Sequence, residues 1–161
     1  MTNSITTGVD TELFHGLDAE AARRLAALGV KTVVPAGSLL FALGAPADTV
    51  FLIERGRISL TLPVQLQGRE VDLLVEEKVA GQMVGWSALI PPHRFTLKAA
   101  APVEAEVLGL SRAALLDHFA GNPEVAYLVT RNIAAVVGQR LQVFQTMWLR
   151  QMQRVVEQHA A

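Results

Sequence analysis

The chain has 161 residues, of which 51% are hydrophobic, and its formal net charge is −1. This composition is typical of one folded domain with a real core, and it argues against disorder and against a general affinity for nucleic acid or anionic membranes. There is no cysteine, which excludes disulfides, cysteine-held iron–sulfur clusters and thiol catalysis. Neither a signal peptide nor a membrane-spanning segment is visible, so the sequence predicts a soluble cytoplasmic protein.

The first predicted element is a short N-terminal helix. Residues 1–10 are polar and are predicted to be flexible. Apolar side chains then recur at helical spacing from Leu13 to Leu28. Asp18 is a suitable N-cap for a helix that ends near Gly29.

The period changes at residue 30, and short β-prone segments separated by glycine turns follow as far as residue 110. Two of the turns, at residues 54–57 and 66–69, are predicted to be tight hairpins. Spacing of this kind predicts a jelly roll or a small barrel. The predicted strands lie near residues 31–34, 38–41, 50–53, 58–62, 71–75, 79–84, 96–100 and 104–110.

The last third of the chain is predicted to be helical. Ser111 is placed to cap a helix over residues 112–119, which Gly121-Asn122 would end. Pro123 suits the start of a second helix, which runs to about Val156. At about 1.5 Å per residue this helix would be roughly 45 Å long, which is more than a barrel of this size can cover.

An apolar stripe runs along the part of the long helix that would project beyond the barrel. Exposed apolar stripes need a partner, so the sequence predicts a parallel homodimer over residues 136–156. The alternative is that the helix folds back on its own barrel. The predicted interface residues are Val137, Leu141, Phe144, Trp148 and Met152. The basic residues of this region, Arg131, Arg140, Arg150 and Arg154, are interpreted as the solvated face of the helix.

The most distinctive stretch is Gly85 to Thr96. Gly85 permits a turn, residues 86–89 can form one helical turn, and Pro91-Pro92 ends it. Free amides there favour an anion, and Arg94 adds a charge that suits phosphate. We predict a small-anion site with the start of the long helix as a lid; the alternative is a loop with one exposed arginine. The predicted ligand-binding residues are Gly85, Trp86, Ser87, Ala88, Arg94, Phe95 and Thr96.

Taken together, these features resemble the cyclic-nucleotide-binding domain family, the sensor domain of catabolite-activator-type regulators. The resemblance covers about residues 12–156 and rests on the opening residues 13–18, the glycine turns at 35–37 and 44–48, and the segment 50–57. It implies an α+β fold, in which an antiparallel β jelly roll (a double-stranded β-helix) is flanked by an N-terminal helix and two C-terminal helices, the last one long. The β-roll domain would span residues 11–122 and the dimerisation helix residues 123–157.

The resemblance also implies roles within the site. Residues 85–96 correspond to the family's phosphate-binding cassette, in which Arg94 would pair with the cyclic phosphate. That cassette usually begins Gly-Glu, and the glutamate accepts a hydrogen bond from the ribose hydroxyl. Here the position is Trp86, which can only donate. Trp86 would either stack on a ligand ring or fill the ribose space.

The function that the resemblance implies is a stand-alone regulatory sensor domain. It would bind a cyclic nucleotide or another small phosphorylated or anionic ligand, and it would signal through its dimer helix. No cofactor, metal or enzymatic activity is expected, because the histidines fall in separate elements and no nucleophile–base set is apparent. Direct DNA binding is not expected, since no recognition helix follows the long helix. The alternative is a ligand-independent module with a degenerate pocket that binds an unidentified protein partner.

Overall fold

The computed structural model describes residues 11–160, and the β-strands within them form two four-stranded sheets. The strands are β1 (Val30–Val34), β2 (Leu39–Phe41), β3 (Thr49–Arg55), β4 (Arg57–Leu66), β5 (Arg69–Val79), β6 (Met83–Val84), β7 (Lys98–Ala100) and β8 (Ala105–Ser111). The first sheet has the order β1-β8-β3-β6 and the second the order β2-β7-β4-β5. Each of these strand pairs is antiparallel. The predicted jelly roll is therefore confirmed.

The helices also lie where the sequence predicted them: α1 (Ala19–Ala26), α2 (Arg112–Gly121) and α3 (Pro123–His159). Asp18 caps α1 by accepting a hydrogen bond of 2.8 Å from the amide of Ala21. Ser111 caps α2 by accepting one of 3.2 Å from the amide of Ala114. The α+β arrangement, with one helix before the roll and two after it, is confirmed.

The two predicted hairpins had different outcomes. Leu66 pairs with Arg69 across Gln67 and Gly68, which both have positive φ, so the turn at 66–69 is a true hairpin. The prediction of a hairpin at 54–57 is wrong, because β3 and β4 belong to different sheets. Gly56 forms the corner between the sheets, where a side chain would clash with the carbonyl oxygen of Glu104. A positive-φ glycine signals either kind of turn.

The core lies between the two sheets and extends to α1 and α3. Its largest fully buried side chains include Phe14, Leu25, Ile53, Ile58, Leu110 and Ile133. The buried amide of Asn132 donates to the carbonyl oxygens of Leu13 at 2.9 Å and His15 at 2.8 Å. These two bonds fix α3 to the segment that precedes α1.

The long helix has two halves. The inner half (residues 123–140) contains the helix's buried side chains, from Val125 to Arg140. The outer half (residues 141–159) has exposed apolar side chains, and its predicted role in dimerisation stays a prediction. The predicted flexible segment, residues 1–10, lies outside the described residues. Among those that are described, no helix has both the length and the apolarity needed to cross a bilayer.

Candidate functional site

A small cavity lies where the second sheet, the turn after Gly85 and the inner half of α3 meet. Its volume is about 10 Å³, which is room for about one water molecule. The lining is mostly aromatic and aliphatic, with two hydroxyl-bearing side chains and one cation. The lining residues are Phe41, Leu60, Gly85, Trp86, Ser87, Phe95, Thr96, Leu97 and Arg140.

The turn that forms one wall of the cavity depends on Gly85. Its φ is +83°, in the region that disfavours other residues, and a Cβ there would lie 3.0 Å from the carbonyl oxygen of Thr49. A 3₁₀ turn, Trp86–Ala88, follows at once. The half-buried Trp86 and the buried Ser87 both line the cavity. Ala88 is buried behind them and does not line it; its carbonyl oxygen accepts a hydrogen bond from Arg112.

Arg94 and Phe95 lie antiparallel to the segment around Pro46, with which Arg94 forms an isolated β-bridge. The amide of Ala47 donates to the carbonyl of His93 at 2.8 Å, and the amide of Phe95 donates to the carbonyl of Ala45 at 3.0 Å. Neighbouring side chains of an extended segment point to opposite faces. Phe95 and Arg94 accordingly point to opposite sides, with Phe95 in the cavity wall and Arg94 exposed.

The placement of Arg94 corrects the sequence prediction. Arg94 was expected to face the same volume as the amides after Gly85, but it is not part of the cavity lining. Its guanidinium donates instead to the carbonyl of Gly44 at 2.9 Å. The structure therefore brings together Gly85, Trp86, Ser87, Phe95 and Thr96 of the predicted set and leaves Arg94 and Ala88 outside.

Stacked phenylalanines fill most of the space beside the turn. The rings of Phe41 and Phe95 are nearly parallel, with an interplanar angle of 9° and centroids 3.7 Å apart. Phe51 lies beside Phe41, with an interplanar angle of 24° and a centroid distance of 6.1 Å. The cavity is small because aromatic rings occupy its floor.

The cation in the cavity wall is Arg140 of α3. The sequence placed this residue on the solvated face of the helix, and that interpretation is wrong, since Arg140 is only 8% exposed. Its Nε donates to Oε2 of Glu76 on β5. The part of α3 that covers the cavity is thus the end of the inner half, and not the start of the helix as predicted.

Arg140 is the last member of a chain of paired charges. Glu76 Oε1 lies 3.5 Å from Nζ of the buried Lys78, which in turn lies 3.8 Å from Oε1 of Glu12. The other Glu12 oxygen accepts a hydrogen bond of 2.8 Å from the amide of Met83. Two acids and two bases balance, which is the condition under which charges are tolerated in an interior. The chain links the N-terminal segment, β5 and α3.

Sequence reasoning missed this group, although one signal for Arg140 was present. Val129, Ile133 and Val136 are buried at spacings of three and four, and Arg140 continues the same face of the helix. A charged residue within an apolar stripe indicates a buried partner. No such local signal identifies Glu76 as that partner. Among residues 11–160 no group of three histidine or acidic side chains could hold a metal ion.

Comparison with known proteins identifies the family. Residues 31–122, more than half of the chain, match the family model of the cyclic nucleotide-binding domain. This chain belongs to the cyclic nucleotide-binding domain family. The comparison with curated proteins gave no match.

Solved structures of family members are similar to this domain. A candidate cyclic nucleotide-binding protein from Geobacter metallireducens is 26% identical, with a TM-score of 0.65, and the match covers 81% of this chain and 92% of that one. The catabolite activator protein of Thermus thermophilus is 25% identical, with a TM-score of 0.71, over 89% of this chain and 63% of the activator. The N-terminal domain of a Streptomyces coelicolor transcriptional regulator shares the fold at 24% identity, with a TM-score of 0.70, and the match covers 86% of this chain and 95% of that one.

Proposed function

We propose that this cyclic nucleotide-binding domain is a regulatory sensor for a cyclic nucleotide or a similar small phosphorylated anion, and that it signals through α3. The observation that carries the proposal is that Arg140 of α3 forms part of the cavity wall, together with the turn from Gly85 to Ser87. A molecule that enters this cavity must contact both the β-roll and the helix. Occupancy of the cavity and the position of α3 are therefore physically coupled.

The lining supports a ligand with both an apolar and an anionic part. Trp86 and Phe95 offer aromatic surfaces to a base or another ring. Ser87, Thr96 and Arg140 offer hydrogen-bond donors to an oxyanion. Among residues 11–160 no carboxylate lines the cavity, so a ribose hydroxyl would find no acidic acceptor there. We propose that cyclic AMP and cyclic GMP bind weakly for this reason.

The sensor is proposed to signal as a parallel homodimer, in which residues 136–156 of the two copies form the interface. Leu141, Phe144, Trp148 and Met152 are exposed on the outer half of α3, whereas Val137 already packs partly against its own core. Apolar side chains at spacings of three and four are typical of a helix that pairs with another helix. A second copy of this chain offers the matching stripe. The predicted cytoplasmic location stays a prediction.

Calorimetric titration with cyclic AMP and cyclic GMP tests the ligand. The informative variant is Trp86→Glu, with Trp86→Gln as the control that adds polarity without a carboxylate. If Trp86 fills the ribose space, Trp86→Glu should tighten cyclic-nucleotide binding about tenfold over Trp86→Gln, because a carboxylate accepts the ribose hydroxyl bond. If Trp86 stacks on the ligand, both variants should bind more weakly than the wild type. The absence of binding to all three proteins would refute the proposal for cyclic nucleotides.

One observation favours a second function, a ligand-independent interaction module. The cavity has a volume of only about 10 Å³, and Phe41 and Phe95 stack across its floor. In that case α3 would present its outer half to a partner whether or not a ligand is present. Hydrogen exchange of residues 136–145 separates the two functions: a sensor should change its exchange with saturating ligand, and a ligand-independent module should not.

A further inference from the structure

The positive charge of the cavity comes from α3 and not from the segment that follows Gly85. Arg140 lines the cavity, while Arg94 is exposed and bonded to the carbonyl of Gly44. We propose that Arg140 binds the anionic group of a ligand in this cavity, and that Glu76 is its intramolecular competitor. The inference rests on the proposed function, since it names the residue that binds the negative charge of the ligand in that same site.

Arg140 and Ser87 are buried residues in the cavity lining, and each has a side-chain donor that makes no hydrogen bond with the described residues. Arg140 bonds to Glu76 through Nε, and its two Nη nitrogens donate to no acceptor within residues 11–160. Ser87 is 3% exposed, and its hydroxyl makes no hydrogen bond with the residues that the structure describes. An oxyanion such as phosphate accepts hydrogen bonds from a guanidinium and a hydroxyl together. The unused donors of Arg140 and Ser87 could therefore bind the same oxyanion from outside the protein.

Glu76 is the natural competitor for such an anion. Its carboxylate and the incoming oxyanion are both acceptors for the same guanidinium. If Arg140 turns to the ligand, Glu76 keeps Lys78 as a counter-ion 3.5 Å away. Lys78 is in turn held near Glu12. Ligand binding therefore replaces the Arg140–Glu76 pair by an Arg140–ligand pair and leaves Lys78 as the counter-ion of both Glu76 and Glu12.

The exchange of partners at Arg140 would let ligand binding affect the outer half of α3. The cavity holds about one water molecule as it stands, so a phosphate group can enter only if the lining moves, and Arg140 is the lining residue that belongs to α3. Arg140 is the last buried residue of α3, and the exposed outer half begins at Leu141. A shift of Arg140 toward the ligand would therefore act next to the first residues of the proposed dimer helix.

The test compares two arginines with the same substitution. Cyclic AMP, cyclic GMP and inorganic phosphate are titrated calorimetrically, at constant ionic strength, into the wild type, Arg140→Gln, Arg94→Gln and Glu76→Gln. We expect Arg140→Gln to weaken binding at least about tenfold, the value of a charged hydrogen bond, and Arg94→Gln to leave it unchanged. Glu76→Gln should strengthen binding, because it removes the competing carboxylate. Tighter binding of a cyclic nucleotide than of phosphate identifies a nucleotide site, and the reverse identifies a free-phosphate site.

The outcomes separate this inference from the proposed function. Binding that is lost in Arg94→Gln and kept in Arg140→Gln overturns the inference and leaves the sensor function standing. No binding of any probe to either the wild type or Glu76→Gln overturns both. Circular dichroism checks that each variant is folded. If Arg140→Gln is unfolded, Arg140→Lys replaces it, and unchanged affinity in both Arg140→Lys and Glu76→Gln then contradicts the inference.

Discussion

The two halves of α3 have the same apolar periodicity but different surroundings. In the inner half, Val129, Ile133 and Val136 recur at spacings of three and four and are buried against the β-roll. In the outer half, Leu141, Phe144 and Trp148 also recur at spacings of three and four, but Leu141 and Trp148 are 58% and 62% exposed. The period shows which face of a helix is apolar. The period does not show whether the β-roll of the same chain lies opposite that face and buries it.

The boundary between the halves is an ionic contact. Arg140 is the last buried residue of α3, and its bond to Glu76 is the last side-chain hydrogen bond between α3 and the roll among the residues that the structure describes. Changes on the inner side of this boundary should alter the stability of the fold. Changes on the outer side should alter association and leave the fold intact. The three predictions below use this difference.

The largest effect is expected from the double variant Phe144→Gln/Trp148→Gln. Large side chains at the centre of an interface often contribute about 2 kcal/mol or more each, and a homodimer carries four of these side chains, so the dimer should weaken by about 8 kcal/mol, close to a millionfold in dissociation constant. Sedimentation velocity at micromolar concentration should then show monomers. Gln145→Ala, an exposed change on the same stretch, is the control and should remain dimeric. A wild type that is already monomeric under these conditions contradicts the dimer proposal.

The fold was predictable because its signals are local. Strand alternation, glycine turns and the caps at Asp18 and Ser111 depend on neighbouring residues, and the eight strands lie close to their predicted positions. The error at Gly56 shows the limit of such signals. A positive φ is a property of one residue, whereas the choice between a hairpin and a corner depends on which strands pair elsewhere in the chain.

The site was less predictable for two physical reasons. In an extended segment a shift of one residue reverses the side on which a side chain lies, so the sequence pattern placed Arg94 where the structure has Phe95. The charge that does line the cavity depends on a contact between Glu76 and Arg140, which are 64 residues apart in the chain. Composition and local spacing say nothing about a pairing of that range.

An intermediate effect is expected from Ile133→Ala in the inner half. Ile133 is 1% exposed, and truncating a buried isoleucine to alanine costs about 2–5 kcal/mol of unfolding free energy through lost burial and the cavity left behind. The matched control in the outer half is Leu141→Ala. Both changes are best made in the Phe144→Gln/Trp148→Gln background, so that association does not contribute, and urea denaturation then gives the two free energies. A loss in Leu141→Ala as large as that in Ile133→Ala would mean that the outer half packs on its own roll.

The smallest effect is expected from Gly138→Ala, two residues before the boundary. Gly138 lies within the long helix, and an added Cβ would meet no atom within 4 Å outside the helix's own nearby backbone. Replacing a helical glycine by alanine stabilises by about 0.5–1 kcal/mol, because glycine loses more backbone entropy on folding. The monomeric background should therefore gain this amount in urea denaturation, and a loss there would contradict the open surroundings of Gly138.

The same Gly138→Ala change in the otherwise wild-type chain locates the crossing of the two helices. If the partner helix passes closest at Trp148, the added methyl group stays in solvent and the dimer should gain the same stability as the monomer. If the helices cross at Gly138, only a glycine permits the closest approach, so association should weaken while the monomer is still stabilised. Sedimentation equilibrium of the wild type and Gly138→Ala measures that difference, and either result fixes which part of residues 136–156 carries the proposed interface.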